Sequence, residues 1–170
     1  RREPQLFPNF KHMPVAYHGR ASSVTISGAP CRRPWGQIVR PGADAPTFEP
    51  VRMLDYEMEI GAYVGVGNPM GYPIPLAEAD QRLFGLCLLN DWSARDIQGW
   101  EMQPLGPFLS KSFMTSVSPW VVTMEALAPF RVPAADRGAD APALAPYLDD
   151  PSDRSDGGVD VTVEVSFLSE

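Results

Sequence analysis

The acidic run Leu54-Asp55-Tyr56-Glu57-Met58-Glu59-Ile60 carries carboxylates at alternate positions. Because strand side chains alternate between two faces, Glu57 and Glu59 are expected to share one face, with Asp55 in line behind them. The apolar side chains between them are expected to point the other way. Like charges this close repel unless water or a cation screens them. The run therefore predicts an acidic strand face within a longer strand at residues 53–66.

Asp91 is a further candidate carboxylate, placed after the apolar run 86–90 that is typical of a buried strand. Ser93-Ala94-Arg95-Asp96 follows it, and this pattern predicts a capping box that opens a short helix through Trp100. Burying an unpaired carboxylate between a strand and a helix would be costly. One interpretation is an amphipathic strand with a solvated face. The other is an oxygen-ligand site for Mg²⁺, Ca²⁺ or Mn²⁺ formed by Glu57, Glu59 and Asp91.

Composition places the chain among ordinary globular domains: 170 residues, 44% hydrophobic and 21% charged. The formal net charge of −7 argues against nucleic acid or an anionic membrane as a partner. No apolar run approaches the ~18 residues of a membrane span. The chain begins with Arg1, so the true N-terminus is expected to lie elsewhere. Cys31 and Cys87 are isolated, which favours reduced thiols and a cytoplasmic location.

Turn residues are the unusual part of the composition, with 19 Pro and 14 Gly. They predict a β-rich domain with many turns and few long helices. Strands or short extended pieces are predicted at 23–27, 31–39, 119–124 and 159–167. A helix is predicted at 75–83, a loop at 41–50 and a surface excursion at 133–158.

Lys111 lies between apolar residues in Phe108-Leu109-Ser110-Lys111-Ser112-Phe113. Either it extends to the solvent, or it is buried beside carboxylates and donates hydrogen bonds to a developing enolate or carbonyl oxygen. Arg95, Asp96 and Gln98 share the predicted helix, where either the charged side chains form surface salt bridges or Gln98 bonds a substrate oxygen. His18 is not assigned as a general base, and no dinucleotide loop or zinc spacing is present.

The chain resembles the fumarylacetoacetate hydrolase family over essentially its whole length. This resemblance implies a β-dominated α+β fold, a mixed β-sandwich roll. It also implies that residues 1–170 are the central part of a single catalytic domain, within a longer homodimeric enzyme. The matching blocks include Tyr17-His18-Gly19-Arg20-Ala21-Ser22-Ser23, Leu54-Asp55-Tyr56-Glu57-Met58-Glu59, Asn90-Asp91-Trp92-Ser93-Ala94-Arg95-Asp96 and Pro104-Leu105-Gly106-Pro107-Phe108-Leu109-Ser110-Lys111.

The resemblance also implies a role for each matching position. Three of the family's four carboxylate metal ligands match Glu57, Glu59 and Asp91. Lys111 matches a lysine at the metal and substrate oxygens. Thr115 matches a threonine at a second cation position. Substrate-contacting and polarising residues match Tyr17, Arg95 and Gln98.

The implied activity is hydrolysis of a carbon–carbon bond in a β-diketone, converting 4-fumarylacetoacetate to fumarate and acetoacetate. This is the last step of tyrosine and phenylalanine catabolism. A divalent cation, Mg²⁺ and/or Ca²⁺, would stabilise the departing enolate.

The chain departs from the family's pattern at several points. Met102 stands where the family has a substrate-contacting tyrosine, and Met114 where it often has glycine. The family's catalytic histidine and fourth carboxylate are expected upstream of this chain, and the histidine's partner glutamate downstream. An acylpyruvate hydrolase or oxaloacetate decarboxylase of the same superfamily therefore stays open, as does a non-catalytic module with the same fold.

Overall fold

The computed structural model describes residues 7–16 and 19–168, which fall into two compact units. One unit, called here the site unit, comprises Tyr17–Gly61 and Leu86–Val121. The second unit comprises Arg1–Ala16, Ala62–Gly85 and Val122–Glu170. That residues 1–170 form part of one catalytic domain stays a prediction.

Short strands dominate the part of the chain that the structure describes. The strands are β1 Val24–Ile26, β2 Trp35–Ile38, β3 Thr47–Pro50, β4 Leu54–Asp55, β5 Met58–Val64, β6 Leu83–Asp91, β7 Ser93–Ala94, β8 Thr115–Val117, β9 Val122–Thr123, β10 Arg131–Val132 and β11 Gly158–Val159. The α-helices are α1 Leu76–Ala79, α2 Arg95–Glu101, α3 Met124–Leu127 and α4 Pro151–Asp156. Single 3₁₀ turns occupy Pro8–Lys11, Ala21–Ser23, Asp80–Arg82, Ala128–Phe130 and Pro146–Leu148. The predicted β-dominated α+β class is confirmed.

A mixed sheet in the order β1-β8-β6-β5 forms the framework of the site unit. Strand β8 runs parallel to β1 and antiparallel to β6, so Thr115 lies between Val24 and Asp91 in the register. Two antiparallel pairs, β2 with β3 and β4 with β7, complete the unit's strands. The acidic strand β5 and the end of β6 therefore belong to one sheet, which brings their carboxylates together.

The predicted strand at 53–66 is interrupted, because β4 and β5 pair with different partners. Asp55 of β4 lies opposite Ser93 of β7, whereas β5 lies beside β6. At the break, the Glu57 N–H donates to the Asn90 side-chain oxygen at 3.2 Å, and the Glu57 carbonyl accepts from the Asp91 N–H at 3.0 Å. The Asn90 side chain thus supplies the bond that a regular ladder would have supplied.

A small apolar core fixes helix α2 in the site unit. Its fully packed residues are Ile38, Val51, Ala94 and Ile97, with Leu54 and Phe113 against them. A Cβ atom at Gly36 would lie 2.7 Å from the Ile97 side chain, so β2 can approach α2 only because residue 36 is glycine. This packing fixes the helix that carries Arg95 and Gln98.

The second unit is held by polar contacts as well as by buried Leu127. The Arg131 guanidinium donates to an Asp80 oxygen at 3.0 Å and to the Asp156 carbonyl at 2.7 Å. Within the region predicted as a surface excursion, α4 begins after an Asp150 cap followed directly by Pro151. An acidic N-cap followed by proline is a helix-start signal that the sequence prediction missed.

Four further predictions need correction. Residues 41–50 are not all loop, since β3 pairs with β2 there. The capping box is wrong: Ser93 lies in β7 and its hydroxyl donates to the Asp91 carbonyl at 3.2 Å, so α2 has no side-chain cap. Strand β6 is not buried throughout, because Leu88 is 55% exposed. Of the predicted strand at 159–167, only Val159 lies in an assigned strand, where it pairs with Arg131, and the Asp160 N–H donates to the Phe130 carbonyl at 2.8 Å.

No helix among residues 7–16 and 19–168 has the length and apolar character needed to cross a bilayer.

Candidate metal centre

Three carboxylates converge at the end of the sheet in the site unit. Glu57, Glu59 and Asp91 each offer an oxygen, and these oxygens lie within 4.8 Å of one another. Glu57 directly precedes β5, Glu59 lies at the second position of β5, and Asp91 ends β6, so sheet pairing produces the cluster. The alternate spacing of the two glutamates and the position of Asp91 at a strand end are as predicted. Metal ligation by the three residues stays a prediction.

Lys111 is buried against this cluster, with 5% of its surface exposed. Its ammonium group donates to the Glu57 carboxylate and to an Asp91 oxygen, the latter at 3.0 Å. Of the two alternatives for Lys111, the structure shows the buried one, in which carboxylates hold the charge. A buried ammonium group in this position presents fixed hydrogen-bond donors beside the acidic oxygens.

Arg95 connects the cluster to its supporting residues. Its Nε donates to Asp55 at 2.9 Å, and its Nη1 donates to Glu57 at 2.7 Å and to the Gln98 side-chain oxygen at 3.2 Å. Because Arg95 engages the Gln98 oxygen, the Gln98 amide NH₂ is the group that can donate to a ligand. Asp55, which matches no ligand in the family, therefore holds the guanidinium of a predicted active-site residue.

The charges of this site do not cancel. Four carboxylates (Asp55, Glu57, Glu59 and Asp91) surround two cations (Arg95 and Lys111), which leaves a formal charge of −2. One divalent cation would neutralise that charge. The described residues thus fit a divalent cation in donor type, proximity and net charge.

The pKa values of the two glutamates in the cluster shift in opposite directions, which shows which of the two has fewer cationic partners. Glu59 is exposed as a residue, but partial desolvation of its carboxyl, reinforced by the charges of Asp91 and Glu57, raises its pKa. Burial also opposes ionisation of Glu57, but hydrogen bonds from Lys111 and Arg95 outweigh it and lower the pKa of that carboxyl. Of the two glutamates, Glu59 therefore gains more from a bound cation.

Of the remaining predicted site residues, some lie in the described part of the site unit and one lies outside the described residues. Thr115 is half-buried and lies opposite Asp91 across the β6–β8 pair. Met102 directly follows α2, its N–H donates to the Gln98 carbonyl at 3.0 Å, and it is 46% exposed. Tyr17, predicted to contact substrate, lies outside the described residues.

Two supporting residues were not predicted. Asn90 holds the backbone at Glu57, and Glu101 accepts hydrogen bonds from the turn that precedes Lys111. Asn90 directly precedes Asp91, but no local pattern signals its cross-strand bond. The contact of Glu101 with residues 108–110 likewise arises only from tertiary packing.

Comparison with known proteins identifies the family to which this chain is related. The family described as fumarylacetoacetate (FAA) hydrolase C-terminal matches residues 2–165. Fumarylacetoacetase of Homo sapiens is 53% identical over 147 residues, which are 86% of this chain and 34% of the human protein. The Dictyostelium discoideum fumarylacetoacetase is 56% identical over 131 residues, which are 76% of this chain and 31% of that protein. The Caenorhabditis elegans fumarylacetoacetase is 46% identical over 172 residues, which are 99% and 39% of the two chains.

The chain spans about a third of the length of these curated relatives. The match to the family nevertheless covers almost all of the 170 residues and includes the acidic strand, the Asn90-Asp91 block and Lys111. By this match, the chain belongs to the fumarylacetoacetate hydrolase family.

Proposed function

We propose that this chain carries the metal centre of a hydrolase that cleaves a carbon–carbon bond in 4-fumarylacetoacetate, giving fumarate and acetoacetate. The observation that carries the proposal is the convergence of Glu57, Glu59 and Asp91 around buried Lys111. Relatives that share this chain's sequence at 46–56% identity are named fumarylacetoacetases. The reaction would be the last step of tyrosine and phenylalanine catabolism.

The proposed cofactor is Mg²⁺ and/or Ca²⁺, held by Glu57, Glu59 and Asp91. Carboxylate oxygens are the donors that both hard cations prefer. When bound, the cation would supply Lewis-acid stabilisation of negative charge on the oxygens of a 1,3-dicarbonyl substrate. Thr115, beside Asp91 in the register, is proposed to lie at a second cation position.

The protein's own donors complete the proposed chemistry. Lys111 and the Gln98 amide NH₂ would donate hydrogen bonds to substrate oxygens as negative charge develops there. Because carboxylates and Arg95 already hold both groups, little reorganisation would be needed during the reaction. Arg95 would polarise the diketo group from the Glu57 side, and Tyr17 would contact the substrate.

We further propose a cytoplasmic homodimer that acts on a small-molecule diketo acid, without nucleic acid or membrane partners. The acidic net charge of −7 supports the last point, because polyanions would be repelled. The homodimer rests on the family resemblance alone.

A second candidate substrate class is favoured by Met102. This side chain follows Gln98 by one helical turn, so a thioether stands on the helix face that presents the Gln98 amide. A smaller or less polar substrate would not require a hydroxyl contact there. An acylpyruvate is such a substrate, and its cleavage would use the same acidic cluster.

The test is hydrolysis by the full-length protein of fumarylacetoacetate and, in parallel, acetylpyruvate, each with and without EDTA. The proposal predicts turnover of fumarylacetoacetate that EDTA abolishes and Mg²⁺ or Ca²⁺ restores. It also predicts that Asp91→Ala loses activity while retaining its circular dichroism spectrum. Cleavage of acetylpyruvate alone would favour the second candidate, and wild-type turnover by Asp91→Ala would contradict both.

A further inference from the structure

The carboxylate of Glu101, the last residue of α2, is bound to the turn that precedes Lys111. One oxygen accepts from the Phe108 N–H at 2.8 Å and from the Ser110 N–H at 2.7 Å. The other oxygen accepts from the Leu109 N–H at 3.1 Å. Three successive main-chain donors are thus satisfied by one side chain.

The opposite end of α2 holds the same turn. The Ala94 N–H, at the start of the helix, donates to the Ser110 carbonyl at 2.9 Å. Ser110 is therefore held at its N–H by the last residue of α2 and at its carbonyl by the helix N-cap. It is fully buried, so the cost of breaking either bond is not offset by water.

This arrangement also fixes the backbone position of Lys111, because Lys111 directly follows Ser110. Its own N–H donates to the Phe108 carbonyl at 3.1 Å, within the same turn. The Lys111 ammonium then meets Glu57 and Asp91. Helix α2 also carries Arg95, so one rigid element sets the position of both cations of the site.

The ionisation of Glu101 agrees with such a role. Burial opposes its charged form, but hydrogen bonds from Ser110, Phe108 and Leu109 outweigh burial and lower the pKa of the carboxyl. Glu101 is therefore a carboxylate at neutral pH, and it has this strong set of acceptor bonds without contacting the acidic cluster.

We infer that Glu101 is a positioning residue for the catalytic site: it holds the 108–110 turn so that the Lys111 ammonium stays between Glu57 and Asp91. This inference rests on the proposed function for the identity of the reaction. The geometry on which it depends, from Glu101 through Ser110 to Lys111, is independent of the substrate.

A double-mutant cycle in the full-length protein tests the inference. Glu101→Ala is expected to lower kcat about 10–100-fold, the range for supporting residues of a metal site, with a smaller change in KM. In a Lys111→Met background, the same change should cost less than about twofold, because its effect acts through Lys111. An equal fold-loss of kcat in the wild-type and Lys111→Met backgrounds would overturn the inference, since it would indicate that Glu101 supports only the fold.

Glu101→Gln keeps the test valid if the alanine variant does not fold. Its amide oxygen can still accept from Phe108 and Ser110, whereas its NH₂ opposes the Leu109 donor, so kcat should lie between wild type and Glu101→Ala. Asp150→Ala is the matched control, because it also removes a carboxylate that accepts a main-chain N–H, from Ser152 at 2.7 Å. Its effect on kcat should be below about twofold and independent of Lys111.

A crystal structure of the Glu101 variant gives a readout that needs no turnover. The Lys111 ammonium should leave hydrogen-bond distance of Glu57 or Asp91, or lose defined density, while the Glu57–Arg95 pair persists. An ammonium that keeps both contacts would overturn the inference even if no diketone is hydrolysed. Turnover of neither substrate by the wild type would instead contradict the proposed function and leave the crystallographic result to decide the role of Glu101.

Discussion

Replacing Lys111 with methionine removes the buried charge that pairs with two half-buried carboxylates, Glu57 and Asp91, while retaining most of the side-chain volume. The side chains of Glu57 and Asp91 are 28% and 18% exposed, so solvent compensates them only partly after the change. Removing one partner of a buried ion pair typically costs 3–5 kcal/mol. Because water reaches both carboxylates, we expect about 3 kcal/mol, the lower end of that range, in the metal-free protein.

The assay is urea unfolding of full-length wild type and Lys111→Met, first in EDTA and then in excess Mg²⁺. The destabilisation should be smaller in Mg²⁺, since a bound cation compensates the two carboxylates in place of the ammonium group. Lys11→Met is the matched control, because Lys11 is the only other lysine and is exposed. Its effect should stay within about 0.5 kcal/mol in both conditions. Equal stabilities of Lys111→Met and the control in EDTA would refute the reasoning.

Three further predictions concern other parts of the site unit. Gly36→Ala should destabilise the protein by about 1–3 kcal/mol in urea unfolding, because the new methyl group overlaps buried Ile97; an unchanged midpoint would contradict this. Glu49 pairs with two arginines, and its hydrogen bonds lower its pKa to about 2 from 4.5, so the stability it contributes is present above pH 4.5 and lost as pH falls towards 2. Glu49→Gln should therefore flatten stability against pH in that window, and a curve parallel to wild type would refute the assignment. Asp55→Asn should lower kcat about 10–100-fold by releasing the Arg95 guanidinium, and should do so far less in an Arg95→Met background.

The sequence predicted the acidic centre to the extent that local periodicity determines it. The alternate spacing of Glu57 and Glu59 and the strand end before Asp91 were sufficient to propose that the three converge. The exact break in the strand was not predictable, because it depends on Asn90 supplying a cross-strand bond to Glu57. The burial of Lys111 was equally open, since local sequence does not distinguish an extended lysine from a buried one.

The errors in the fold have a common physical origin. Alternation at 159–167 describes side-chain polarity, but a strand also needs a neighbour for its main chain, and the register with β10 ends at Val159, with one further main-chain bond from Asp160 to Phe130. Ser93 is a residue type that often caps helices. In this structure it pairs with β4 as part of β7, and α2 has no side-chain cap. In both cases, the main-chain pairing available in the folded protein, and not the local sequence pattern, decides whether a strand forms.

The most direct test of the central claim is calorimetric titration of the full-length protein with Mg²⁺ and Ca²⁺, comparing wild type with Glu59→Gln. The pKa of Glu59 is raised by partial desolvation and by its acidic neighbours, and unlike Glu57 it accepts no bond from Arg95, so Glu59→Gln should remove a ligand without disturbing that pair. The account predicts that affinity falls at least about 10-fold, whereas the exposed control Glu125→Gln binds as wild type does. Equal affinity of Glu59→Gln and wild type for both cations would contradict a metal centre at this cluster.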